Sequence, residues 1–222
     1  MSNGEDQVGW ITSVERQKGN KKRYNLFIDD VYAFSVHEDI MIRHRLLKGE
    51  SVDSESIAGI VMDDERHQAY LEAIRYIGRR PRSQQEVRLH LKEKEYEPER
   101  IREVVERLSG EGYLNDETFA KLWTENRIRS QKKGRKWVEM ELAQKGVEDA
   151  DISSALGSID PEEEYAAALD SAVKKWRITG GELFERKRKV MTYLLRRGYS
   201  HELVKRVVRE ASEQTAEDDA EI

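Results

Sequence analysis

Between residues 8 and 36 the β-favouring side chains fall at every second position: Trp10, Thr12 and Val14, then Tyr24, Leu26 and Ile28, then Tyr32, Phe34 and Val36. Turn residues separate the runs, Gly19-Asn20 after the first and Asp29-Asp30 after the second. Period-two runs divided in this way predict a three-stranded β-meander. A sheet that small needs a covering element. Residues 37–47 supply one, because Ile40, Leu46 and Leu47 lie at helical spacing and the segment ends at Lys48-Gly49, a basic last turn followed by glycine.

From Ser54 onward the period becomes helical, and the pattern repeats. Leu91, Leu142 and Leu194 lie 51 and 52 residues apart, each preceded by valine four residues earlier (Val87, Val138, Val190). Tyr96, Val147 and Tyr199 follow at plus five, Ile101, Ile152 and Val204 at plus ten, and Val105, Leu156 and Val208 at plus fourteen. Each unit opens with an aromatic and an apolar partner four residues on: Tyr70 and Ile74, Phe119 and Trp123, Tyr165 and Leu169. The distance from that pair to the leucine varies, so each unit reads helix, variable loop, helix, tight turn, helix. The predicted divisions are 1–52 for the strands and their helix, 53–114, 115–159 and 160–211 for three helical repeats, and 212–222 for a disordered acidic tail. Three short helices bury little alone, so the units are expected to stack into an elongated, curved, mainly α array.

Helix boundaries are legible in the same stretch. Tyr96/Ile101, Val147/Ile152 and Tyr199/Val204 occupy the N′ and N4 positions of a hydrophobic staple. Gly146 and Gly198 end the preceding helices, with Glu95 at the corresponding place in the first repeat. Ser83 with Glu86, and Asp160 with Glu163, have the spacing of capping boxes. Leu114, Asn115 and Phe119 form a staple around an N-cap, with Asp116 adding an anion to the helix start.

Composition narrows the function classes. With 37% charged residues, mean hydropathy of −0.83 and only three prolines, the chain of 222 residues is wet and helix-rich. The absence of cysteine excludes disulfides, thiolate metal sites and cysteine nucleophiles. Without an apolar leader or a membrane-length apolar run, the expectation is a cytoplasmic protein. Net charge is −5, but six acids cluster between Glu210 and Ile222, which leaves residues 1–209 with 39 bases against 38 acids. Bases cluster as well. Arg127, Arg129, Lys132, Lys133, Arg135 and Lys136 fall between Asn126 and Val138 with no acid among them. A second cluster is Arg186, Lys187, Arg188 and Lys189, and a third is Arg79, Arg80 and Arg82. Such clusters meet phosphates or acidic protein surfaces, or they solvate a helix face.

No catalytic constellation stands out. The five histidines are scattered without metal-binding spacing, and no phosphate-cradling glycine loop is present. Trp123 and Trp176 lie at core spacing, while Trp137 sits within the basic stretch. A non-enzymatic, monomeric binding protein without cofactor is the expectation.

The stretch Gly112-Tyr113-Leu114-Asn115-Asp116, followed by Phe119-Ala120, Arg127, Gly134, Leu142, Lys145-Gly146-Val147 and Ile152, closely resembles the central signature of the RecX family of regulatory proteins. The resemblance covers residues 65–211, and the N-terminal strands are similar to the extension of longer Gram-positive members. It implies a modulator that binds RecA and the RecA–DNA filament along its groove, limiting filament growth, ATP hydrolysis and strand exchange in recombination and the SOS response. The two basic clusters, Arg127–Lys136 and Arg186–Lys189, are then the candidate partner-binding residues, and Tyr113, Leu114, Asn115, Asp116 and Phe119 the signature loop. The residues alone leave a second reading open, a helical repeat protein whose basic clusters neutralise nucleic-acid phosphates directly; for the RecA modulator, the near-neutral folded part predicts only weak binding to DNA alone.

Overall fold

A computed structural model describes the backbone of residues 8–220 and the side chains of residues 8–214. The second hairpin turns where Asp29 and Asp30 both take left-handed φ (49° and 65°), the conformation a two-residue hairpin loop requires. It joins β2 (Arg23–Ile28) to β3 (Val31–His37), and β1 (Gly9–Arg16) pairs antiparallel with β2 on the other side. A two-residue strand beyond the predicted three, β4 (Ser51–Val52), completes the order β3-β2-β1-β4. In β1 the alternation breaks. The register slips between Ile11 and Ser13, so Ile11 is buried and Trp10 is 57% exposed, the reverse of what strict period two predicts. The hydroxyl of Thr12 holds this bulge, accepting from the Asp30 amide at 2.9 Å and donating to the Phe27 carbonyl at 3.2 Å.

The helix predicted for 37–47 is shorter: α1 spans Glu38–Arg43. Arg45 turns left-handed and Leu46 folds under the sheet at 2% exposure. Backbone pairing explains the early stop, because the Gly49 amide donates to Ile11 O at 2.8 Å and Ile11 N to Glu50 O at 2.9 Å, pulling the chain onto β1 before another turn can form. The next helix, α2 (Ser54–Ile77), starts at an Asp53 cap and lays Ile57, Ile60 and Val61 against the sheet core of Ile11, Leu26, Val36 and Ile40. Buried Asp64 on α2 clamps two strands: it accepts from Arg23 at 2.9 Å, from the His37 amide at 2.7 Å and from Gln68 at 2.6 Å.

The helix–loop–helix–turn–helix pattern recurs three times. The second half of α2 is followed by α3 (Gln84–Glu93) and α4 (Pro98–Gly110); α5 (Asp116–Glu125), extended by a π-turn at Asn126–Ser130, is followed by α6 (Arg135–Gln144) and α7 (Asp149–Gly157); α8 (Pro161–Arg177) is followed by α9 (Leu183–Arg196) and α10 (His201–Ala220). Every tight turn is the same motif. Glu95, Gly146 and Gly198 take φ of 64°, 72° and 88°, and the amides of Tyr96, Val147 and Tyr199 reach back to the carbonyls of Leu91, Leu142 and Leu194 at 3.2, 3.2 and 3.3 Å. These are Schellman caps, and the fully buried reference leucines are their C3 residues.

Although they open each repeat alike, the aromatics Tyr70, Phe119 and Tyr165 are not equivalently buried. Phe119 is buried, but Tyr70 and Tyr165 are half-buried beneath Arg107 and Arg206. Small residues occupy the repeated core place: Ala69/Ala73, Ala120/Thr124 and Ala168/Ala172, all at 0% exposure. In the second and third repeats the first helix lies against the third, α5 on α7 and α8 on α10. The Asp160 cap engages Glu162 N at 2.9 Å instead of forming a reciprocal box, since Glu163 faces Arg129. The tail predicted to be disordered from residue 212 continues the backbone of α10 to Ala220; its last two residues, Glu221 and Ile222, lie outside the described residues. Neither Gly nor Pro interrupts that stretch, and the core contact of α10 ends just before it, at buried Ala211.

The described chain forms two compact units. The first runs to Arg80 and adds Arg88–Leu108; the second holds Pro81–Val87 and the residues from Ser109 onward. Within the second, the start of one repeat's middle helix meets the end of the next repeat's middle helix. Ser83 Oγ donates to Lys145 O at 2.7 Å. One repeat later the Gly134 amide donates to Arg197 O at 2.8 Å, and Lys136 N to Gly198 O at 3.2 Å. A Cβ on Gly134 would stand 2.4 Å from the Gly198 carbonyl carbon, and one on Gly198 would stand 2.4 Å from Trp137 N.

Gly198→Ala should therefore lose about 2–5 kcal/mol of stability through backbone clash and left-handed strain. Glu95→Gly should gain about 0.5–1 kcal/mol, the left-handed penalty removed less the entropy of glycine. Phe119→Ala should cost roughly 3–5 kcal/mol as a core truncation. Chemical denaturation followed by circular dichroism distinguishes these three outcomes by sign and size.

Candidate partner-binding surface

The first predicted cluster lies on the π-turn, the loop after it and the first turn of α6, and it divides into two populations. Three of its six cations are held internally. Arg127 Nε donates to Glu141 at 2.6 Å and the guanidinium covers the Trp123 ring at 3.8 Å. Arg129 forks onto Glu163 with two contacts of 3.0 Å. Arg135 bonds Glu164 at 2.8 Å and also caps the end of α7 through the carbonyls of Leu156 and Ile159, at 2.8 and 2.7 Å. Arg127 and Arg135 are half-buried in these pairs, whereas Arg129 stays exposed in its own. The cluster's acid-free appearance arises because the carboxylate partners lie 14 to 34 residues further along the chain.

The remaining three differ among themselves. Lys133 lies over the Trp137 ring at 3.5 Å, half-buried, and burial together with the neighbouring Arg197 guanidinium pushes its ammonium down from the ordinary lysine range. Lys132 takes φ of 53° and offers its carbonyl to Arg197 Nε and to the Tyr199 hydroxyl, both at 2.8 Å. Among the described residues Lys136 alone of the six is exposed and makes no ion pair.

The second cluster sits on α9. Arg186 turns inward over Trp176 and donates to its carbonyl at 3.2 Å. Lys187 is half-buried, whereas Arg188 and Lys189 face solvent. Those two line an open groove of about 650 Å³ with Lys175, Tyr193, Thr192 and Arg196, residues that the sequence clusters did not include. Helical spacing gathers them: Arg188, Thr192 and Arg196 are four residues apart on one face of α9. No acid lines the groove, and the exposed apolar side chains Ile178, Leu183 and Phe184 lie on the neighbouring α8–α9 segment. In the third cluster Arg82 pairs with Glu86 at 3.5 Å.

The signature loop is largely structural. Leu114 and Phe119 are buried, each at 3% exposure, and Asn115 caps α5 through Thr118 N at 2.7 Å. Asp116 accepts from Gln84 N at 2.9 Å and so caps the start of α3. Lys145, from the same signature, pairs with Glu86 at 3.0 Å and approaches Trp123. Tyr113, 56% exposed, is the one large apolar loop side chain facing solvent. Burial pushes the Glu141 carboxyl up, but the hydrogen bonds led by Arg127 outweigh it and hold the group below the ordinary glutamate range.

One group able to hold a metal is present among the described residues: His37, Asp39 and His67, in the first unit. Linear spacing leaves these histidines scattered, since thirty residues separate the pair and only folding brings them together. No described helix is long and apolar enough to cross a membrane.

Four family models match the chain: the regulatory protein RecX N-terminal domain at residues 9–53, and the first, second and third three-helix domains of RecX at residues 69–108, 115–156 and 162–208. Regulatory protein RecX of Listeria monocytogenes EGD-e is 35% identical over 214 residues, covering 96% of this chain and 80% of that protein. The Oceanobacillus iheyensis protein of the same name is 33% identical, covering 90% and 76%. A crystal structure of regulatory protein RecX superposes with TM-score 0.73 at 30% identity over 91% of this chain and 99% of that one. RecX from Lactobacillus salivarius shares the fold, with TM-score 0.62 at 21% identity over 68% of this chain and 98% of that one.

The depressed Glu141 carboxyl implies acid lability of the second unit. A carboxylate stabilised in the fold contributes above its unfolded pKa of about 4.3 and loses that contribution as pH falls through the lower folded value. Wild type should therefore lose stability between pH 5 and about pH 3, and Glu141→Gln should be less stable at pH 7 with a shallower acid dependence. Thermal melts across that range provide the measurement; parallel wild-type and variant curves would contradict the assignment.

Proposed function

Because the chain belongs to the RecX family of regulatory proteins, we propose that it regulates the RecA recombinase by binding the RecA–DNA filament in its groove, limiting filament growth, ATP hydrolysis and strand exchange. In this reading it works by binding and performs no chemistry of its own, in the cytoplasm where RecA and DNA reside. The observation that carries the reading is the distribution of uncommitted cations. Internal carboxylates hold Arg127, Arg129 and Arg135, and Lys189 pairs with Glu185, whereas Lys136, Arg188 and Arg196 present unpaired charge to solvent on the second and third repeats among the described residues.

A filament offers two things such a surface can meet: carboxylates repeated along the protein and phosphates of the enclosed strand. Tyr193 within the cationic groove gives the second of these a specific support, since an aromatic beside several bases is the usual platform for single-stranded nucleic acid. Direct DNA binding is the competing reading. The near balance of bases and acids over residues 1–209 weighs against it, because non-specific DNA affinity rests on counterion release by a net basic face.

The test is DNA-stimulated ATP hydrolysis by RecA. Wild type should inhibit at concentrations well below those that saturate naked DNA, and excess free DNA should not relieve the inhibition. The combined variant Lys136→Glu, Arg188→Glu and Arg196→Glu should weaken filament binding about tenfold or more, the effect of reversing three partner-facing charges that each contribute about 0.5–1 kcal/mol. Its melting temperature should stay near wild type, because none of the three makes an ion pair among the described residues. Inhibition that instead follows occupancy of free DNA would replace the filament reading with competition for the strand.

A further inference from the structure

The junction of β3 and α1 brings three unusual neighbours together. His37 is the N-cap of α1 and is 6% exposed; Asp39 lies in the first turn; His67 projects from α2 with a side chain 10% exposed. The two imidazole rings are 4.7 Å apart and tilted at 57°. Asp39 Oδ2 stands 3.0 Å from His67 Nε2 and 3.4 Å from His37 Nδ1, and all three donor atoms lie within 4.8 Å of one another.

Hydrogen bonding accounts for only part of this arrangement. His37 Nδ1 already accepts from the Asp39 backbone amide at 3.2 Å, so it carries a lone pair and no proton. It therefore faces Asp39 Oδ2, a second acceptor, with no hydrogen between them. His67 Nε2 is buried and makes no well-directed hydrogen bond, although the carboxylate is near. Three donor groups converge, two of them withdrawn from water, and His37 Nδ1 would exchange the Asp39 amide for an ion.

We propose that His37, Asp39 and His67 form a binding site for a divalent transition metal ion, zinc in the first instance, which clasps the start of α1 to α2. Imidazole and carboxylate together suit zinc, and a tetrahedral ion about 2.0–2.1 Å from each donor spaces the donors by about 3.3 Å, between the two Asp39 distances. Asp39, with a side chain 54% exposed, leaves the fourth position open to water and provides the route of access. Hard ions that prefer six or more oxygens find only one carboxylate here. Arg43, whose charge acts on His67, opposes the ion, but it is exposed on α1 and can extend into water. Bound metal would fix the corner at which the chain leaves the sheet and would reinforce the Asp64 clamp one helical turn before His67.

The experiment uses the full chain stripped with chelator, dialysed, and titrated with zinc sulfate by calorimetry, with cobalt(II) absorption as a spectroscopic reporter. The expected result is a single equivalent bound, a rise in melting temperature reversed by chelator, and visible cobalt bands of a four-coordinate site. His67→Gln and Asp39→Asn should each weaken zinc binding by about 100-fold or more, the upper range for loss of even an outer-sphere partner. His44→Gln, a histidine paired with Asp63 outside the trio, should bind as wild type does. Asp39 is at the surface, so Asp39→Asn decides the matter if His67→Gln fails to fold. Absence of saturable binding, or binding retained in Asp39→Asn, would overturn the site.

Discussion

Stacking in the second unit depends on helix ends that meet backbone to backbone. The N-terminus of α6 carries unsatisfied amides and the positive end of a helix dipole; the C-terminus of α9 carries the complementary carbonyls. Gly134 and Gly198 let the two approach until an amide of one end reaches a carbonyl of the other at 2.8 Å. The same joint between α3 and α6 is made less closely, with Ser83 Oγ on Lys145 O and Gly146 set against Gln85. Each Schellman glycine thus has two duties. It reverses the chain within its own repeat, and it removes the side chain that would hold the preceding repeat away.

That joint also explains the distribution of charge. Arg129 and Arg135 run from the second repeat to Glu163 and Glu164 at the head of α8, and Arg197 returns from α9 to the carbonyls of Gln131 and Lys132. Charged residues in the densest basic stretch of the chain therefore align two repeats. An ion pair at such a partly buried joint is valued less for net stability than for the geometry it imposes, since desolvation offsets much of its attraction. Surface available to a partner is left on Lys136 and along the α9 groove.

In the first unit α2 does two jobs with one helix. Its first half closes the sheet core through Ile57, Ile60 and Val61, while its second half contributes Ala69 and Ala73 to the first repeat. Between them Asp64 holds Arg23 and the His37 amide, satisfying a buried carboxylate from three directions. The first family model of a three-helix domain begins at residue 69, within this helix, where sheet contacts give way to repeat contacts.

Local chemistry in the sequence was enough to determine the repeats, their tight turns and most of their caps. Schellman glycines, staples and the Ser83–Glu86 box depend on residues a few positions apart, and no distant partner can change their spacing. The same locality determined the strands but not the phase of β1, because the bulge at Thr12 is made by Asp30 and Phe27 across the sheet. It also overran α1, since only pairing of Gly49 and Glu50 with Ile11 ends that helix early. Whether a cation serves the fold or a partner was decided by tertiary structure, because Arg127 and Lys136 look alike in a linear charge run and differ only in whether a carboxylate folds against them. The gathering of His37 and Asp39 with His67, and of Arg196 with Lys175 across a groove, has the same cause: it joins residues on different elements, and linear spacing carries no record of that distance.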